Sequence, residues 1–149
     1  MRRTTNGFAR LIASGFGSGY APKAPGTAGS LAALLIGAGL IAWHPMALPI
    51  AIALSLVAGM LTIEPAGGTD DPGWVVIDEF AGQWIAMLPL ASPSPFGLIL
   101  AFALFRLFDI TKPGPIGWAD RLGGAFGVMA DDVIAGGCAA VLVYFITSW

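Results

Sequence analysis

The sequence is short of the residues on which several common protein classes depend. Its 149 residues include one cysteine and one histidine, and only 11% of them are charged. The lone cysteine, Cys138, excludes an intrachain disulfide, and a single imidazole, that of His44, disfavours a zinc site or a Ser-His-Asp triad. The net charge of −2 lacks the basic excess of nucleic-acid-binding proteins, so we expect no nucleic-acid partner.

Apolar residues are abundant instead. They make up 56% of the chain, its mean hydropathy is +0.80, and its charged fraction is less than half of the ~25% typical of soluble domains. The length suits one domain over residues 1–149. The amino terminus lacks an apolar stretch long enough for a signal peptide, so we expect the membrane segments to be internal and permanent.

The charged side chains are confined to three blocks. The block at 1–27 is basic, the block at 64–79 is acidic, and the block at 106–132 is mixed. Their members are Arg2, Arg3, Arg10 and Lys23; Glu64, Asp70, Asp71, Asp78 and Glu79; and Arg106, Asp109, Lys112, Asp120, Arg121, Asp131 and Asp132. Residues 28–63, 80–105 and 133–149 therefore carry no charge.

These three charge-free stretches predict about five short apolar helices. A helix rises about 1.5 Å per residue and a bilayer core is about 30 Å thick, so a span needs ~20 residues. Residues 28–63 hold two helices with a turn at 43–46, where Pro45 ends the first helix. Residues 92–95 divide the second stretch into two arms, each extended by a turn into the adjoining charged block. The third stretch is one short span.

This arrangement predicts an all-α, multi-pass membrane bundle whose charged loops and active site share one face. The cations of the first block place that face in the cytoplasm by the positive-inside rule. A soluble helical protein with a very apolar interior is the alternative, since the segments are short for spans. Glycines inside the apolar runs, such as Gly136 and Gly137, favour the membrane, where small residues allow close helix packing.

A glycine- and proline-rich loop at 15–30 leads into the first apolar helix. Exposed backbone N–H groups and a helix start suit a phosphate, and Thr27 and Ser30 are suitable helix caps. The alternative is a simple turn, with Lys23 as an ordinary interfacial cation.

Acidic pairs precede two of the other apolar segments. Asp78 and Glu79 precede the third segment and Asp131 and Asp132 the last, where they are either helix-dipole partners or ligands of a cation that removes their mutual repulsion. Arg106 and Asp109, three residues apart, share a helix face and suit an ion pair.

Oxygen ligands of this kind suit Mg²⁺, which binds carboxylates, water and substrate phosphate. Phosphoryl transfer also needs basic groups around the phosphate oxygens. The available cations are Lys23, Arg106, Lys112 and Arg121.

Three stretches together resemble the phosphatidylglycerophosphatase A family of bacterial membrane lipid phosphatases. They read FGSGYAPKAPGTAGSLAALL (16–35), DPGWVVIDEFAGQWIA (71–86) and FRLFDITKPGPIGWADRLGGAFGVMADDVIAGG (105–137). The resemblance implies Mg²⁺-dependent hydrolysis of phosphatidylglycerophosphate to phosphatidylglycerol and phosphate in phospholipid biosynthesis, at the cytoplasmic face of the bacterial inner membrane.

The resemblance also implies roles for individual residues. Asp78, Glu79, Asp131 and Asp132 would be metal ligands or general bases, with Asp109 close by as a fifth catalytic carboxylate. Phosphate would be held by Lys23, Thr27, Arg106 and Lys112. Asp120 and Arg121 match the family motif in either a catalytic role or a structural ion pair. Some family members carry a histidine upstream of the Asp-Glu pair, whereas here residues 69–73 contain none.

Two other functions fit a small membrane protein. A transporter or channel subunit would place ionisable groups near the bilayer midplane, and a structural or partner-binding protein would not need clustered anions beside a glycine loop. The nucleophile (water or an aspartate), the number of metal ions and the oligomeric state stay open at this point.

Overall fold

The computed structural model describes residues 5–149, and this part of the chain is helical without a β-strand. Arg2 and Arg3, which contribute to the predicted positive charge, lie outside the described residues. The helices are α1 (Gly7–Ala13), α2 (Pro25–Trp43), α3 (Ala47–Ala66), α4 (Ile77–Met87), α5 (Pro95–Thr111), α6 (Pro115–Asp120) and α7 (Gly124–Thr147), with a short 3₁₀ turn at Ser18–Tyr20. The predicted all-α class is confirmed.

The helix ends follow the predicted breaks. Helix α2 ends at Trp43 and α3 begins after Pro45, while α5 begins where the Ser94 hydroxyl accepts a hydrogen bond from the backbone N–H of Gly97. The five predicted apolar segments are thus α2, α3, α4, α5 and α7. By length and composition, α2, α3 and α7 can each cross a membrane. Helices α4 and α5 are shorter.

The predicted start of the last helix is wrong. Helix α7 begins at Gly124, so Asp131 and Asp132 lie in its third turn rather than ahead of it. The apolar residues 125–130 extend the helix toward its amino end, and the two carboxylates are accommodated because they face other helices instead of lipid. Acidic groups consequently lie well inside an apolar helix.

The predicted caps of α2 are also absent. The helix begins at Pro25, a residue whose fixed φ and missing N–H suit a first helical position. Thr27 therefore lies in the first turn, and the Ser30 hydroxyl donates back to the Gly26 carbonyl within the helix.

Polarity in the bundle is inverted relative to a soluble protein. Large apolar side chains point outward along the long helices, with Leu35 74%, Leu54 65% and Ile99 67% exposed, whereas Gln83 and Asp132 are enclosed. Exposed apolar faces of this extent need a covering, which lipid provides. The inversion favours the membrane bundle over the soluble alternative.

Helix α4 is the centre of the bundle, and it packs most extensively on α7. Nine of its eleven residues are buried. The two helices cross at Gly82 and Gly136, where a Cβ added to Gly136 would lie 2.4 Å from the Gly82 carbonyl oxygen. Only glycine permits this approach, as the glycine content of the apolar runs predicted. Gly137, by contrast, faces open space.

Candidate active site

Five carboxylates from three helices come together at the end of the bundle where α4 begins. Asp78, Asp131 and Asp132 form one group, and Glu79, Asp109 and Asp132 form a second; within each group one oxygen of every carboxylate lies within 4.8 Å of the others. Asp132 belongs to both. All five were singled out from the sequence, and the fold places them in one cluster.

Helix geometry explains why two groups form. Consecutive residues on an α-helix project about 100° apart, so Asp78 and Glu79 in the first turn of α4 face different neighbours. Asp131 and Asp132 diverge in the same way on α7. The glycine crossing lies four residues beyond Asp78 and four beyond Asp132, and it brings the two helices close enough for the pairs to meet.

Lys112 lies on one side of this cluster. Its Nζ donates to Asp131 Oδ2 at 2.7 Å and lies 3.4 Å from Asp120 Oδ1 and 3.7 Å from Asp109 Oδ1. Burial alone lowers the pKa of this lysine, but the hydrogen bond to Asp131 and the surrounding negative charges outweigh it and raise the pKa above its ordinary value. Lys112 is therefore a permanent cation at neutral pH.

Arg106 also borders the cluster. It forms the ion pair with Asp109 that their spacing predicts, and its Nη2 donates to the Thr27 hydroxyl at 3.4 Å. Thr27 thereby joins the cluster through α2, although it is distant in sequence. A guanidinium that already holds a carboxylate and a hydroxyl has further N–H groups with which to bind phosphate.

The glycine loop reaches the same place. A Cβ on Gly26 would lie 2.9 Å from Glu79 Oε1 and 3.4 Å from each terminal nitrogen of Arg106. The backbone at the end of this loop, in the first turn of α2, therefore borders Glu79 and Arg106 directly. Lys23 is exposed before α2 and takes part in none of the ion pairs found within residues 5–149.

Asp120 and Arg121 differ in their contacts with the site. Asp120 pairs with Lys112 and not with its neighbour Arg121, which is exposed. An open polar groove of about 430 Å³ passes Asp120 and Asp71. Lys112 joins Asp120, in the wall of this groove, to Asp131 of the carboxylate cluster.

Gln83 is a polar residue of this region that sequence reasoning missed. It is fully buried one turn after Glu79, and neither its amide nitrogen nor its amide oxygen has a hydrogen-bond partner. The sequence signals Gln83 through its position four residues after an acidic helix start, but the prediction considered charged residues alone.

Three of the five carboxylates each have an oxygen without a hydrogen-bond donor. Asp78 Oδ1, Glu79 Oε2 and Asp132 Oδ2 are buried without a partner. Buried polar atoms are normally satisfied, and anionic oxygens that converge without donors suit a hard cation. The oxygen-only donor set fits Mg²⁺ and has neither the imidazole nor the thiolate that zinc prefers.

The chain is similar to known proteins over nearly its whole length. The family model described as Phosphatidylglycerophosphatase A matches residues 11–147. Phosphatidylglycerophosphatase A of Escherichia coli is 38% identical over 91% of this chain and 81% of that protein. The protein of the same name from Haemophilus influenzae is 40% identical over 93% and 88%. A Bacteroides thetaiotaomicron protein, provisionally named phosphatidylinositol-3-phosphatase, is 38% identical over 89% of each chain.

No solved structure matches the chain. The matched region includes the glycine loop, all five clustered carboxylates and both bases that contact them. Helices, site and relatives agree, and the chain belongs to the phosphatidylglycerophosphatase A family of phosphomonoester hydrolases.

Proposed function

We propose that this protein hydrolyses phosphatidylglycerophosphate to phosphatidylglycerol and inorganic phosphate, in a Mg²⁺-dependent reaction at the bacterial inner membrane. The observation that carries the proposal is the pair of carboxylate groups sharing Asp132, with Arg106 and Lys112 beside them. Two similar proteins bear the name of this activity.

Asp78, Glu79, Asp109, Asp131 and Asp132 are the residues that would hold Mg²⁺. When bound, the ion supplies charge neutralisation at the phosphoryl oxygens and a lowered pKa for water. The protein's part is to present oxygens in a fixed arrangement inside the bundle, where burial strengthens their interaction with the ion.

The substrate phosphate is assigned to the bases and the loop. Arg106 and Lys112 both border the carboxylates and both contact Asp109, so a phosphate at the cluster meets two positive charges. Thr27 orients the guanidinium, and the missing side chain of Gly26 lets the first turn of α2 lie against Glu79 and Arg106. Lys23 is placed farther out in this proposal, where it attracts the anionic headgroup.

The surface next to the site suits a substrate with acyl chains. A groove of about 520 Å³ between α3, α6 and α7 has an almost wholly apolar lining, and Met129, Ala130 and Val133 in its wall flank Asp131 and Asp132 in sequence. A lipid phosphate at the carboxylates would leave its chains next to this groove, with no need for the lipid to leave the bilayer.

The proposal is tested by phosphate release from three substrates with purified protein in detergent micelles. We expect kcat/KM to be highest for phosphatidylglycerophosphate, and lower by roughly 100-fold for glycerol 3-phosphate, which lacks the chains that supply remote binding energy. Chelation should stop turnover and added Mg²⁺ should restore it. Faster release from phosphatidylinositol 3-phosphate would instead mean that this chain acts on the lipid for which the Bacteroides relative is named. Full turnover after chelation would refute the metal requirement.

Orientation is a separate part of the proposal: the carboxylate end faces the cytoplasm, as the cations Arg10 and Lys23 indicate. With Cys138 replaced by alanine, His44→Cys marks the turn between α2 and α3, and Asp70→Cys marks the charged end; both positions are exposed. In right-side-out vesicles a membrane-impermeant maleimide should label His44→Cys alone. Labelling of Asp70→Cys alone would reverse the orientation.

A further inference from the structure

We infer that this site holds two divalent cations, with the carboxylate of Asp132 shared between them. The inference rests on the proposed function in one respect, the use of a hard divalent ion, and it extends that function by assigning separate ligands to each ion. One ion would be bound by Asp78, Asp131 and Asp132, and the other by Glu79, Asp109 and Asp132.

The carboxylates form two distinct groups with one shared residue. The two groups satisfy the distance requirement of a single ion separately, and Asp132 is their one common member. The divergence of Asp78 from Glu79 on α4 sends each to a different group. Asp132, by contrast, projects from α7 between them and is 1% exposed.

Unpartnered oxygens occur in residues of both groups. Three carboxylate oxygens are buried without a hydrogen-bond partner: Oδ1 of Asp78 in the first group, Oε2 of Glu79 in the second, and Oδ2 of the shared Asp132. A single ion beside one group would leave an unpartnered buried carboxylate in the other. Such an oxygen is costly to keep ionised.

The cluster holds more carboxylates than one ion can use. Mg²⁺ is six-coordinate, retains several waters and usually takes one or two carboxylates from the protein, so five carboxylates exceed what one ion uses. Each group also contains one carboxylate that a base already holds: Lys112 holds Asp131, and Arg106 holds Asp109. The remaining carboxylates suit one ion per group.

Charge also favours two ions. Six carboxylates face Arg106 and Lys112, namely the five of the two groups and Asp120, which pairs with Lys112, so four negative charges are left over. One divalent ion leaves two negative charges, which repel an incoming phosphate dianion. Two divalent ions leave none. Two-ion sites of this kind stabilise both the attacking and the leaving oxygen in phosphoryl transfer.

The test uses the full-length protein in detergent micelles with Mn²⁺ alone as the probe. Equilibrium dialysis with elemental analysis gives bound Mn²⁺ per chain, and electron paramagnetic resonance shows whether two ions are magnetically coupled. We expect two ions per chain and a coupled spectrum from the wild type. Asp78→Asn and Asp109→Asn should each retain one ion with an uncoupled spectrum, and Asp132→Asn should weaken binding at both positions by roughly tenfold or more.

Controls keep the result interpretable. Glu79→Gln repeats the loss of the second ion without releasing Arg106 from Asp109, and Asp70→Asn, which removes an exposed carboxylate outside both groups, should retain two ions. Saturation of the wild type at one ion or none overturns the inference, as do variants of both groups that retain two.

Lipid hydrolysis measured on the same samples separates this inference from the proposed function. An active wild type with a single ion leaves the phosphatase proposal standing and overturns the two-ion site. Two bound ions without hydrolysis of any lipid phosphate support the two-ion site and count against the substrate assignment.

Discussion

Asp132→Asn is expected to lower kcat for phosphate release by about 1000-fold or more, while the helical fold is retained. Asp132 is the one carboxylate shared by both groups, and asparagine keeps its shape but removes the charge that both depend on. Losses of this size are typical when a charged group that acts on the reacting phosphate is removed. Folding should not suffer, since the change also relieves repulsion among buried carboxylates.

The measurement is phosphate release from micellar phosphatidylglycerophosphate, with circular dichroism and thermal unfolding in the same detergent. Asp70→Asn is the matched control, because it makes the same chemical change at an exposed position outside both carboxylate groups. It should behave like the wild type. An Asp132→Asn protein that turns over within tenfold of the wild type would remove Asp132 from the site.

The fold was largely predictable because local residues mark many of its helix boundaries. Pro45 separates α2 from α3, and Ser94 and Pro95 begin α5, through backbone geometry that does not depend on tertiary contacts. The start of α7 was not predictable in this way. Asp131 and Asp132 resemble a helix start when read alone, and only the packing of α4 against α7 shows that a buried polar cluster lets the helix run through them.

The residues of the site were predictable from the sequence, but the contacts between them were not. The sequence shows which carboxylates and bases exist, whereas the division into two groups depends on helix rotation and on a crossing that no local pattern specifies. Contacts such as Lys112 with Asp131, or the approach of Gly26 to Glu79, join residues far apart in sequence. Gln83 escaped notice because an uncharged amide carries no signal until its burial is known.

The family match, rather than the geometry, separates a phosphatase from a transporter subunit. Carboxylates in the third turn of an apolar helix are also what a transport site would show, and Asp131 and Asp132 are so placed. The match over residues 11–147 selects the hydrolase. The sequence motifs thus identify the chemistry, and the structure shows how the residues of the site are arranged.

Gly136→Ala is expected to lower activity by roughly 100-fold and to destabilise the fold by about 1–3 kcal/mol, although it touches none of the charged residues. The added methyl would lie 2.4 Å from the Gly82 carbonyl oxygen, a backbone atom that cannot rotate away, so α4 and α7 must separate. A shift of about 1 Å moves Asp78 and Glu79 away from Asp131 and Asp132, and misplacement of that size costs about 100-fold.

Gly137→Ala is the matched control, one residue along the same helix. Its added methyl meets no atom within 4 Å, and alanine favours a helix over glycine, so activity should be unchanged and the unfolding temperature equal or higher. Thermal unfolding and phosphate release of the pair test whether the glycine crossing positions the carboxylates. Equal activity in the two variants would mean that the site tolerates separation of α4 from α7. The bound ions, rather than the glycine crossing, would then arrange the carboxylates.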